Sequence, residues 1–383
     1  MAGRHILFLV HGMGVYGKVE DGRYKPDTAK WFDDAKAGLV KIYDEFIKDT
    51  IVGDGAEFDD LFVVEPIEYD SQLETYRAAW EEQAKMWKVF GLDSGFAATI
   101  RKFFEGNSDD AFLWTHVADV LLYTARLNQD AIHPYVALQI LQKLRERHQA
   151  ADLGDWSIVA HSLGTAVMND AAPKLFADAK ADPVLSAVLT PPQVICMAAN
   201  VARALSPPER AYDPLLCPSG PEGVLNYLSL SHTLDPFTRI RPFRPPVDGP
   251  PWSSHRYVAL SGLSGYYLAN EFIDWAQHYD QFDKFAAIVP HGFDHYMRQP
   301  KVVAQLWPRL RGFEPWEVPG IEEKVRESNE KLVRKAIEEP LRQALEQEVR
   351  KRLEGALASV SIPDSVNDLV KRLPDVLRML KGF

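Results

Sequence analysis

The chain has 383 residues, 46% of them hydrophobic and 25% charged, with 43 Lys and Arg against 54 Asp and Glu for a net charge of −11. That is a globular composition with length enough for a large core, and the acidic balance without a dense Lys/Arg patch argues against nucleic acid as a partner. Two cysteines, Cys196 and Cys217, are too few for a disulfide framework or a zinc-ligand spacing, and Cys196 lies in an apolar run that reads as core.

Residues 5–10, His-Ile-Leu-Phe-Leu-Val, form an apolar run without alternation, the signature of a strand buried on both faces. The run is too short for a signal peptide's apolar region, and no stretch reaches about 18 uncharged apolar residues, so a cytoplasmic chain is expected. His11-Gly12-Met13-Gly14 follows. Glycines there let the backbone turn away while an N–H faces a negative oxygen, which makes the Met13 N–H a candidate oxyanion donor. Residues 27–49 place Trp31, Leu39, Ile42 and Phe46 at helical spacing, and 61–67 read as a second strand.

Residues 71–130 are dense in aromatics, among them Trp80, Trp87, Phe103, Phe104 and Trp114, in a mostly helical pattern. They fit either further helices on the sheet or a helical cap that supplies an apolar pocket. A helix over 134–148 leads on to residues 155–164, Asp-Trp-Ser-Ile-Val-Ala-His-Ser-Leu-Gly. Here a short strand runs into Ser162, and a helix-forming stretch from Thr165 follows, with Pro173 its first breaker. A serine at so tight a turn needs small residues two positions before and after it, and these are Ala160 and Gly164. The Leu163 N–H, directly after the serine, is the second candidate oxyanion donor.

Runs at 193–198 and 226–231 read as strands, with 285–289 a weaker sixth, while the proline-rich stretches 205–222 and 236–254 read as irregular loops. Strands alternating with helices predict an α/β fold with a mostly parallel sheet. A serine nucleophile needs a base held by a carboxylate. Asp235 follows the 226–231 strand, and Pro236 stops that strand from continuing, so Asp235 is the favoured acid ahead of Asp294, Asp213 and Asp248. Two histidines compete as base in the segment 289–300, His291 and His295; His295 is favoured because it sits just ahead of an apparent helix, farther from the strand end.

Taken together, strand-His-Gly-Met-Gly, strand-Ala-His-Ser-Leu-Gly-Thr-helix, strand-Asp-Pro and Asp-His-Tyr resemble the α/β-hydrolase superfamily, most of all its serine esterase and lipase-like branch, over about residues 5–310. The resemblance implies a mostly parallel sheet with helices on both faces. It also implies a catalytic triad of Ser162, Asp235 and His295, an oxyanion hole from Met13 and Leu163, no metal or organic cofactor, and a carboxylic ester or lipid as substrate. Amide, thioester and peptide bonds are open to the same machinery, and a non-catalytic binding protein is the reading from another class. The catalytic domain is expected over 1–320, with 71–130 its insert. Residues 321–383 form a helical extension matching nothing in the family, with Leu341, Leu345, Val349, Leu353 and Leu357 every fourth residue and a second helix over 364–381. Such amphipathic helices suit packing on the body, a homo-oligomer contact or a membrane surface, and nearly balanced charge disfavours strong attraction to anionic lipid.

Overall fold

The computed structural model describes residues 3–12, 17–20, 23–26, 28–52, 55–73, 123, 129–206, 210–218, 224–245, 252, 256–261 and 291–338. Most of the aromatic insert, the strand expected at 285–289, Met13, Asp248 and the tail beyond 338 lie outside these residues. Among the described residues six parallel strands form one sheet in the order β4-β1-β5-β6-β7-β8. They are β1 (His5–Val10), β4 (Phe62–Ile67), β5 (Trp156–His161), β6 (Val194–Ala198), β7 (Asn226–His232) and β8 (Arg256–Leu260). A separate antiparallel hairpin, β2 (Gly17–Glu20) with β3 (Arg23–Pro26), follows β1.

Five strands coincide with the apolar runs. Strand β8 does not, because it opens on Arg256 and directly follows the proline-rich stretch. The hairpin too escapes a search for apolar runs, since its eight residues carry Lys18, Glu20, Arg23 and Lys25.

Both faces of the sheet are covered, as buried parallel strands require. On one face Ile6, Phe8 and Val10 of β1 and Ile158 of β5 pack with Val136, Ile140 and Leu144 of α2 (Gln129–Gln149) and with Val167, Ala171 and Leu175 of α3 (Leu163–Ala181). On the other, Leu7 and Leu9 of β1 and Leu228 and Leu230 of β7 pack with Trp31, Leu39 and Ile42 of α1 (Thr28–Ile42) and with later helices. The alternation along β1 follows from the two-residue period of a strand. Helix α3 runs on through Pro173 to Ala181. One backbone hydrogen bond is lost there, but the buried stripe of Ala171, Ala172, Leu175 and Ala179 continues past it, and packing outweighs the break.

Between β1 and β5 the direction of winding reverses: the chain first steps from β1 out to β4, then crosses to β5 and proceeds the other way. The carboxyl ends of β1 and β5 thus frame the crevice where open α/β sheets place their ligands. Cys196 and Cys217 are both buried and are not joined in a disulfide. Among the described residues no helix is long and apolar enough to cross a membrane.

Candidate active site

Ser162 is the residue between β5 and α3, and its backbone is strained, with φ 51° and ψ −125°. A non-glycine residue held in this region costs on the order of 1–3 kcal/mol and persists only where its surroundings fix it. Three contacts do so here. The Ser162 N–H donates to the Ala198 carbonyl at the end of β6 (3.0 Å), and the Ser162 carbonyl accepts from both the Thr165 N–H (2.8 Å) and the Thr165 hydroxyl (2.7 Å). Gly164 is required by close approach: a Cβ there would lie 2.1 Å from the carbonyl oxygen of His11. Gly12 meets the turn from the other side, where a Cβ would come within 2.9 Å of the Ser162 Cβ. Two glycines therefore let the end of β1 press against the turn after β5.

The Ser162 hydroxyl lies 2.7 Å from Nε2 of His291, and Nδ1 of His291 lies 2.7 Å from Oδ2 of Asp235. This is an unbroken serine–histidine–carboxylate relay. Asp235 is placed by the end of β7. After His232 the chain turns, and Asp235 becomes the N-cap of α4 (Pro236–Ile240), accepting from the Phe237 N–H through Oδ1 (2.9 Å) with Pro236 at the first helical position. That leaves Oδ2 for His291 and for the hydroxyl of Tyr296, which donates to it at 2.8 Å. Burial alone would push the Asp235 carboxyl up. The hydrogen bond and electrostatic attraction of His291, with the donors Tyr296 and Phe237, outweigh it and hold the group below its ordinary range. His291 is the most exposed member of the relay, its side chain 17% exposed, while Ser162 and Asp235 are buried.

The histidine that the structure brings to Ser162 and Asp235 is His291 and not His295, the one favoured from sequence. His295 lies within α5 (Phe293–Met297), whose N-cap is Gly292. Its ring is buried, 5.0 Å from the His232 ring, and its Nε2 faces the Gln299 amide at 3.2 Å. Burial, then the neighbouring His232, lowers its pKa to about 3. His291 stands on the loop ahead of that helix, where its ring reaches the serine. The rival carboxylate Asp294 is turned towards α1, where a Cβ on Gly38 would come within 2.5 Å of its Oδ1. Asp213 caps a short 3₁₀ turn by accepting from the Leu215 N–H.

Two further residues steady His291. His161, the last residue of β5, has its Nε2 2.7 Å from the carbonyl oxygen of His291. Burial, and then the proximity of His291, lowers the His161 pKa to about 3, so the ring is neutral and its Nε2–H donates to that carbonyl. Phe293 wedges beside it, with ring centroids 5.9 Å from His161 and 5.4 Å from Trp31. Neither role, nor that of Tyr296, carries a sequence signal beyond closeness to the motif residues.

The two segments expected to supply the oxyanion donors, the end of β1 and the start of α3, meet at Ser162. Leu163 is the first residue of α3, so its N–H has no acceptor within the helix and is free to serve an anion beside Ser162. Tyr69 fixes the loop after β1: it stacks on His11 at 4.3 Å, and its hydroxyl reaches the carbonyls of His11 (3.0 Å) and Gly12 (3.2 Å). Met13, the other expected donor, lies outside the described residues. No group of three or more His, Cys, Asp or Glu placed to hold a metal ion occurs among the described residues. In comparisons with known proteins, the chain matches no family model, no curated protein and no solved structure.

Proposed function

We propose that the chain is a serine hydrolase of the α/β-hydrolase type that cleaves a carboxylic ester through an acyl-enzyme on Ser162. The observation that carries this reading is the relay from Ser162 through His291 to Asp235 at two distances of 2.7 Å, with the serine on a strained strand-to-helix turn. Its place at the crevice where the sheet reverses its winding adds support.

In this mechanism the Ser162 oxygen attacks the acyl carbon while its proton passes to Nε2 of His291. Asp235 stabilises the imidazolium through Nδ1, and the developing oxyanion faces the Leu163 N–H. As the tetrahedral adduct collapses, the ester C–O bond breaks and the proton on Nε2 passes to the departing alkoxide. A water then attacks the acyl-enzyme, giving its proton to His291. The second collapse frees the acid and returns that proton to Ser162.

The test is labelling by a fluorophosphonate probe together with turnover of a panel of esters, thioesters and amides. Labelling abolished by Ser162→Ala, with ester turnover fastest, is the expected result. A folded wild-type protein that neither labels nor turns over any member of the panel rules the reading out.

A further inference from the structure

Phe237 lies against the catalytic base in a way the relay does not require. Its backbone N–H supports Asp235, but its side chain does something else: the ring centroid is 4.7 Å from that of His291, tilted by 51°, and the residue is 39% exposed. Leu234, three residues earlier in the same turn, is 52% exposed. Single exposed apolar residues are ordinary on a protein surface. A pair flanking the acid, one of them against the base, is placed where it can meet a reacting group.

The chemistry of the base says which group that is. When the tetrahedral adduct collapses, the leaving oxygen must lie within hydrogen-bond reach of Nε2 of His291 to receive its proton. The carbon chain on that oxygen therefore departs alongside the imidazole, while the acyl chain is attached to the carbon bonded to Ser162. We infer that the leaving group is an apolar alcohol whose chain packs on the Phe237 ring, so that this side chain sets specificity on the alcohol side of the ester. The inference rests on the hydrolase reading above. The gain is that of covering apolar surface: about 0.8 kcal/mol, or fourfold, for each methylene fully removed from water.

Two ester series separate the sides of the substrate. One keeps an acetyl group and lengthens the alcohol from methyl through butyl to hexyl; the other keeps a methyl alcohol and lengthens the acyl chain. In both, kcat/KM is measured, since it reports acyl-enzyme formation, the step in which the alcohol leaves. In the wild-type protein kcat/KM rises along the alcohol series, and Phe237→Ser or Phe237→Gln reduces the hexyl-to-methyl ratio about tenfold while leaving the acyl series parallel to wild type. Phe237→Leu, which keeps an apolar side chain, retains most of the ratio. The inference is overturned by a flat alcohol series in the wild-type protein, by a ratio that the polar variants do not change, or by a change confined to the acyl series. Fluorophosphonate labelling at Ser162 in the same preparations tells the two levels apart. Labelling with an unchanged ratio removes only the role of Phe237; no labelling and no turnover removes the hydrolase reading and this inference with it.

Discussion

Tyr296 donates its hydroxyl proton to Oδ2 of Asp235 at 2.8 Å, the same oxygen that faces Nδ1 of His291. The phenol and the imidazole thus share one lone-pair-bearing atom in a buried site, where hydrogen bonds to a charged group count for about 1.5–3 kcal/mol. Removing the hydroxyl by Tyr296→Phe leaves the ring's packing in place and makes Asp235 a stronger acceptor for the imidazolium. The acid limb of the kcat/KM pH profile is expected to move to higher pH, with kcat reduced up to about tenfold and KM little changed. An acid limb superimposable on that of the wild-type protein would show that the phenol does not act through Asp235.

The choice between the two histidines is settled by comparing variants of each. His291→Ala should lower kcat by about 10⁴-fold or more, as loss of a base in such a relay does, with the folded state retained. His295→Ala should stay active towards the fluorophosphonate and instead lose about 2–4 kcal/mol in urea unfolding, because it empties a buried site. The reverse pattern in folded proteins would return the role to His295.

His161 is expected to act on position rather than chemistry. His161→Phe preserves an aromatic ring beside Trp31 and Phe293 but leaves the His291 carbonyl without its donor. A drop of about 10–100-fold in kcat with KM near wild type is expected, since small misplacement of a base is costly. Equal kcat in the variant would mean that the loop holds His291 without this bond.

Acid should destabilise the fold well above the range of ordinary carboxylates. Burial lowers the pKa of His5 to about 3, of His133 to about 4, and of His161 and His295 to about 3. Below pH 6.5 the unfolded chain binds protons that these four folded histidines refuse, so stability present at pH 7 is lost as pH falls from 6.5 towards 3–4. Each contributes at most about 1.4 kcal/mol per pH unit in that window. Asp170, whose carboxyl burial holds above its usual range, opposes the trend as a single group. Urea midpoints at pH 7, 6 and 5 should fall in that order, and an unchanged midpoint across the three would refute the assignment.

Gly164→Ala should be far more damaging than a surface change. Its Cβ would lie 2.1 Å from the His11 carbonyl oxygen, a backbone atom that cannot move aside without shifting β1. A loss of about 3 kcal/mol or more in stability, with kcat falling alongside, is the expected result of such overpacking. Thermal melting and esterase assays of the variant check both; a protein with wild-type melting would contradict the close approach.

Much of the architecture could be read from the chain because it depends on local patterns. Apolar runs without alternation marked the strands on which the site is built, and small residues around Ser162 marked the turn. Asp235 was recoverable from the strand that ends before it and the proline after it. The base was harder, since His291 and His295 are four residues apart and both precede or begin a helix. What separates them is the N-cap at Gly292, which leaves the first outside the helix and buries the second in it. Sequence offers no view of which way a ring turns, so the contacts of Tyr296, His161 and Phe237 emerge only once β5, β7 and α5 are brought together. Pro173 misled for a related reason: a breaker is a local signal, and the buried stripe beyond it is a tertiary one.

The helix that opens the tail, α7 (Ile321–Val333), buries Ile321 and Val325 in the same core as Leu306, Trp307 and Leu310 of α6 (Pro300–Leu310), and the Asn329 amide reaches the Arg298 carbonyl at 3.4 Å. A boundary drawn at residue 320 would therefore cut through the core that backs the base loop. Any shortened or fused form of this α/β body has to keep its seam beyond Val333.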